Sequence, residues 1–125
     1  MVVFDSSIII DALRKKKAAI DLIKSYSRKE QIAITAISKY EILRGTSEKN
    51  ASLTSEFLGQ FVVYDFDDFA LSEAVNAYKR LKEKGRMVNE FDLLIAGIVT
   101  THNETLITVD RDFLNFESTK IVVLS

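Results

Sequence analysis

Five short runs rich in β-branched and aromatic residues, at 2–4, 32–35, 61–64, 106–109 and 121–124, constrain the fold of this chain more than any other feature. Each run is nearly continuous in apolar residues rather than alternating, the pattern of strands covered on both faces in a parallel sheet. Between them lie segments with helical spacing. Ile8, Ile9, Ala12 and Leu13 form the first, and Ala19, Ile20, Leu22 and Ile23 extend it or begin a second. Ile37, Ile42 and Leu43, then Leu53, Phe57 and Leu58, follow. Phe69, Ala70, Ala74, Ala77, Tyr78 and Leu81 make the clearest amphipathic stripe, and Leu94, Ile95, Ile98 and Val99 complete the set. Gly45, Gly85 and Asn103 stand where helices would end. Strands alternating with helices imply right-handed βαβ crossovers, and so a three-layer α/β/α domain over residues 1–125 with a central parallel sheet of about five strands.

Composition narrows the chemistry. A chain of 125 residues can bury a core without staples, and its formal net charge of −1 excludes the strongly basic profile of a protein that coats nucleic acid by charge alone. There is no cysteine, which excludes disulfides, thiolate metal ligands and thiol nucleophiles, and suits the cytoplasm. The start, Met1-Val2-Val3-Phe4-Asp5, is interrupted at once by a carboxylate and does not read as a signal peptide. No run approaches the length of a membrane span.

In open α/β sheets, ligands bind beyond the carboxyl ends of the strands, where the strand order reverses. Asp5 ends the first run and Asp110 the fourth, while Glu41 and Asp92 are expected in the first turns of helices that begin on the same rim. Each has a simpler explanation. Ser38-Lys39-Tyr40-Glu41 matches a capping box, Asp92 can complement a helix dipole after Asn89, and Asp5 or Asp110 can cap the following turn. Together they ask for more. Asp92 in Phe91-Asp92-Leu93-Leu94-Ile95-Ala96, and Asp5 between Val2-Val3-Phe4 and Ile8-Ile9-Ile10, are carboxylates in apolar settings, costly unless paired. Several acids on one rim repel one another unless a cation neutralises them, and an all-oxygen donor set selects a hard ion such as Mg²⁺ or Mn²⁺. Such an ion polarises a phosphodiester and activates water.

These motifs, in this order, resemble the PIN-domain family, and within it the compact ribonuclease toxins of VapC-type toxin–antitoxin pairs. The likeness runs from Asp5-Ser6-Ser7, through Ile37-Ser38-Lys39-Tyr40-Glu41-Ile42-Leu43-Arg44-Gly45 and Phe91-Asp92-Leu93-Leu94-Ile95-Ala96, to Leu106-Ile107-Thr108-Val109-Asp110-Arg111-Asp112-Phe113. The resemblance implies a Mg²⁺- or Mn²⁺-dependent endoribonuclease, dimeric and inhibited by a cognate antitoxin. It implies that Asp5, Glu41, Asp92 and Asp110 are the catalytic acids, with Asp5, Asp92 and Asp110 holding the metal and Glu41 acting directly or through water. Ser6 stands where threonine is more common, and Thr108 corresponds to a hydroxyl that supports the fourth acid. Asp112 is a second acid beside Asp110, open to a second metal or to capping the turn before Phe113. Glu90 reads as an outer acid or a solvated first-turn residue.

Substrate contacts are sought among Arg44, one turn after Glu41, and Lys39 on the rim, an arginine being suited to bidentate phosphate binding. The basic stretches Arg14-Lys15-Lys16-Lys17 and Lys79, Arg80, Lys82, Lys84, Arg86 read first as solvated helix ends. His102 is the sole histidine and sits near a helix end; Tyr26, Tyr40, Phe57 and Phe61 read as packing, with some available to an antitoxin helix. A phosphatase of the haloacid-dehalogenase type would need an aspartate where Ser7 stands, and a dinucleotide site would need glycine in the first turn. The remaining rivals are a PIN-like module that binds RNA or protein without cutting, and a nuclease acting on DNA.

Overall fold

The structure is a computed structural model that describes residues 1–124. It contains β1 (Val2–Phe4), α1 (Ser6–Leu13), α2 (Lys17–Ser27), β2 (Ile32–Thr35), α3 (Ala36–Arg44), α4 (Ala51–Leu58), β3 (Val62–Tyr64), α5 (Asp68–Glu83), α6 (Glu90–Thr101), β4 (Thr105–Thr108) and β5 (Lys120–Val123). Short 3-10 turns at Glu48–Asn50 and Arg111–Asn115 complete it. All strand pairs are parallel, in the order β3-β2-β1-β4-β5. The last two strands begin one residue earlier than their apolar runs, at Thr105 and Lys120, because a strand is bounded by its ladder and not by hydrophobicity.

The chain leaves β1 in one direction to build β2 and β3, then returns to the other side of β1 for β4 and β5. The reversal falls between β1 and β4, where Val3 pairs with Leu106 and Phe4 with Ile107. Beyond β1 the ladder continues for one more bond, Asp5 N–H to the Ile107 carbonyl at 3.0 Å.

Strand geometry sends successive side chains to opposite faces. Val3, Ala33 and Leu106 pack on α5 and α6, in a core with Ile95, Ile98, Val99 and Phe113. Val2, Phe4, Ile32, Ile34 and Ile107 pack on the other face with Ile8, Ile9, Ile23, Ile42 and Leu58 from α1 to α4. Both faces are therefore apolar, which is why the runs do not alternate. Each fully buried Ile or Phe contributes about 1.5–3 kcal/mol relative to exposure, enough to fix the strand register against a one-residue slip.

Two helices approach closely at a glycine. A Cβ at Gly97 of α6 would stand 2.7 Å from the Ala70 carbonyl oxygen of α5 and 3.1 Å from the Ala74 Cβ. At helix ends, Gly85 takes φ +67° after α5 and Asn103 φ +53° after α6, the left-handed conformation their positions suggested. The segment after Leu13 turns on Lys15 at φ +63° and starts a separate helix, α2, instead of extending α1. No helix among the described residues is long and apolar enough to cross a membrane.

Candidate active site

The rim at the β1/β4 reversal gathers the acids. Asp5 follows β1 directly, in extended backbone, and caps α1 with Oδ1, which accepts the Ser6 N–H at 2.8 Å. Its Oδ2 accepts the Thr108 hydroxyl at 2.7 Å and, at a longer 3.5 Å, that of Ser7. Thr108 is fully buried at the end of β4 and its oxygen also accepts the Asp110 N–H at 3.1 Å. One hydroxyl thus ties the end of β4 to the carboxylate at the end of β1. Asp110 uses Oδ1 to accept the Asp112 N–H at 2.9 Å.

Glu41 departs from expectation in its local role. The cap of α3 is Thr35, whose hydroxyl accepts the Ser38 N–H at 3.0 Å, so α3 begins at Ala36 and Glu41 lies in its second turn. The capping box at Ser38 does not form, because the fully buried Thr35 at the end of β2 takes that position first. Glu41 is left to face α1, with the Ser6 hydroxyl at 3.5 Å from Oε1. Asp92 lies in the first turn of α6 as expected, but Asn89 caps that helix through bonds to the Phe91 and Asp92 N–H groups. Capping after β4 falls to Asp110 and not to Asp112, which is exposed and engages that turn through its backbone, its N–H donating to Asp110 and its carbonyl accepting from Asn115.

The electrostatics show that these carboxylates share one region. Burial pushes the Asp92 carboxyl up to about 7, reinforced by repulsion from Asp110, Asp5, Glu41 and Asp112 in that order. Burial also raises Asp5, with Asp110 adding to it, while the bonds from Thr108 and Ser6 act against the shift. Glu41 is raised by burial and then by Asp5, opposed by the positive charge of Arg44. Carboxylates that raise one another in this way are relieved by a cation placed among them. Among the described residues no three of these side chains are already arranged to hold an ion. The donor set itself is all oxygen, with neither cysteine nor histidine near it, and suits a hard divalent ion that keeps several waters. Asp5 is the member whose position is most constrained.

Other residues noted in the sequence fall in distinct places. Arg44 approaches the site, its guanidinium carbon 5.2 Å from the Tyr40 ring centroid and 5.4 Å from that of Phe91. Lys39 is half-buried on the first turn of α3. Lys16 pairs with Asp11 at 3.3 Å and Lys17 with Asp21 at 2.9 Å. In the second basic stretch Lys84 pairs with Glu117, and Arg86 donates to Asn115 at 2.7 Å. His102 ends α6, stacked on Tyr64 at 3.7 Å. Ten residues of helix separate it from Asp92, about 15 Å along the axis, so it takes no part at this rim. Tyr26 packs edge-on against Phe4, and Phe57 against Phe61; of the four aromatics singled out, only Tyr40 is exposed. Sequence reading did not place Phe91 beside Tyr40, although each immediately precedes an acid of the rim.

The family model for the PIN domain matches residues 2–118. Ribonuclease VapC3 of Methanocaldococcus jannaschii is 33% identical over 96 residues, 77% of this chain and 95% of that protein. Among solved structures, VapBC2 from Rickettsia felis bound to a DNA fragment superposes with TM-score 0.90 at 21% identity, covering 100% of both chains. DNA-bound VapBC from Salmonella typhimurium gives TM-score 0.85 at 21% identity over 98% of each chain. The family model spans nearly the whole chain and the ribonuclease relative is 33% identical over 77% of it, so the chain belongs to the PIN-domain family.

Proposed function

We propose that the protein is an endoribonuclease dependent on Mg²⁺ or Mn²⁺, the toxin of a VapBC-type pair, working as a homodimer in the cytoplasm and silenced by an antitoxin. The observation that carries this reading is Asp92, whose carboxyl is pushed up to about 7 by burial and by Asp110, Asp5, Glu41 and Asp112. A structural role would be met by a neutral residue there; five acids that act on one another at the carboxyl ends of the strands suit cation chemistry.

Asp5, Asp92 and Asp110 would hold the ion. When bound, a hard divalent ion polarises a phosphoryl oxygen and makes water a stronger nucleophile at neutral pH. The chain's own residues do the positioning. Ser6 N–H and the Thr108 hydroxyl fix both oxygens of Asp5, and Thr108 aligns the backbone from which Asp110 projects. Glu41, on a separate helix, orients water on the α1 side. Arg44 meets the substrate phosphate, with Lys39 a further rim cation. Asp112 is a candidate for a second ion bound through water.

A groove of about 660 Å³ between α1, α3 and α4 has Glu41 in its lining and sets Ile10, Leu13, Ile42 and Leu53 among polar residues that include Arg14 and Lys15. The structural relatives are toxin–antitoxin complexes, and an apolar segment of the antitoxin suits this groove. An occupant there would lie beside a catalytic acid, which links binding to inhibition.

Cleavage of single-stranded RNA should require added Mg²⁺ or Mn²⁺ and stop in chelator. Asp5→Asn and Asp92→Asn should keep the fold by circular dichroism yet lose cleavage. Full activity in either variant, or in chelator, overturns the reading; preferential cleavage of a matched DNA strand supports the DNA alternative.

A further inference from the structure

Tyr40 and Phe91 come from different helices, α3 and α6, and meet edge to face with ring centroids 5.8 Å apart at 89°. Arg44 places its guanidinium within 5.4 Å of both centroids. Tyr40 is 54% exposed although it has an aromatic partner on a neighbouring helix. Each ring is one residue before an acid of the site, Tyr40 before Glu41 and Phe91 before Asp92. The cluster is therefore built across the same two helices that deliver two of the acids.

We propose that this cluster is a stacking platform for an unpaired nucleobase next to the scissile phosphate. The proposal rests on the ribonuclease reading above. A rim carrying Asp5, Glu41, Asp92, Asp110 and Asp112 repels a polyanion, and the whole chain has net charge −1. Charge alone therefore gives little hold on RNA at the place where the phosphate must sit. Stacking on an aromatic face adds affinity without depending on net charge and tolerates any base. Arg44 contributes twice, holding the ring pair by cation–π attraction and offering N–H donors to a phosphate. A base in a duplex has both faces covered, whereas an unstacked base can lie on a side chain. A purely apolar docking patch would not need a guanidinium over its rings.

The platform can be read by binding as well as by turnover. A set of single-stranded RNA 12-mers carrying 2-aminopurine at successive positions is titrated with the Asp92→Asn protein, in which cleavage is silent. Quenching at one position, absent with the same RNA in a duplex, is expected. Adding Tyr40→Ala should remove the quench and weaken binding roughly tenfold, while Tyr40→Phe keeps both. Arg44→Lys, which retains charge but not the planar group, should lose part of the quench. In the otherwise unaltered protein Tyr40→Ala should raise KM with kcat largely kept. Unchanged quenching and KM in Tyr40→Ala overturn the platform while cleavage by the parent leaves the ribonuclease reading standing. A parent that quenches but never cleaves overturns the ribonuclease reading and leaves the platform standing. Tyr40→Ala that alters sedimentation of the protein but not RNA binding assigns the patch to a protein interface and overturns the proposal.

Discussion

Replacing Asp92 by asparagine should make the metal-free protein more stable while removing its activity. In the folded chain this carboxyl titrates at about 7, against an ordinary 3.8. A shift of that size corresponds to about 4 kcal/mol at full strength. The group is half-buried, and solvent screening leaves about 1–2 kcal/mol. The direction follows from proton binding: between 3.8 and about 7 the folded state holds a proton that the unfolded state has released. Stability of the metal-free protein from this group is therefore present at low pH and is lost as pH rises through about 7. Asparagine keeps the shape without the charge. At pH 8 in chelator, Asp92→Asn should melt roughly 3–10 °C above the parent, and at pH 5 the gap should shrink to about a third of that, because most of the proton release lies between pH 5 and about 7. Thermal unfolding by circular dichroism at both pH values measures this. A variant destabilised equally at pH 5 and pH 8 would refute the argument, because it would mean that Asp92 is a structural partner and not a repelled charge.

The same proton gives a second expectation: Mn²⁺ must displace it, so affinity measured by calorimetry should fall below pH 7 by up to about tenfold per pH unit, and a flat profile from pH 5.5 to 8 would contradict it. Thr108→Val removes the bond to Asp5 Oδ2 and leaves the Asp110 N–H without its side-chain acceptor. It should cost about 1–3 kcal/mol in denaturant unfolding and weaken the metal about 10–100-fold; parental Mn²⁺ affinity would show that Thr108 does not position the acids. Gly97→Ala drives a Cβ to 2.7 Å from the Ala70 carbonyl, so α5 and α6 must separate, at about 1–3 kcal/mol. A melting temperature equal to that of the parent would show that the helix pair can yield.

Strand positions were legible because both faces of the sheet are covered, so continuous apolar runs and parallel pairing have one cause; the strand order, and with it the place of the reversal, came only with the structure. Helix starts were harder to read, since several hydroxyl and amide residues compete for each cap. Ser38 and Thr35 both fit the rule for α3, and tertiary burial decided it: Thr35 lies fully inside at the end of β2, so its hydroxyl reaches the Ser38 N–H. That one-turn displacement takes Glu41 out of its capping role and leaves it facing Ser6 and Arg44. Capping and cation binding are also less opposed than they look in sequence. Asp5 and Asp110 do cap the turns that follow them, each through Oδ1. A carboxylate has about four lone-pair sites, so an acid that uses one oxygen for a cap keeps acceptor capacity for a cation. The bond from the next backbone N–H is what holds an acid among like charges in place of letting it swing to solvent. Contacts between side chains of different helices leave no periodic trace, and the meeting of Tyr40, Arg44 and Phe91 could be seen only once α3 and α6 were packed.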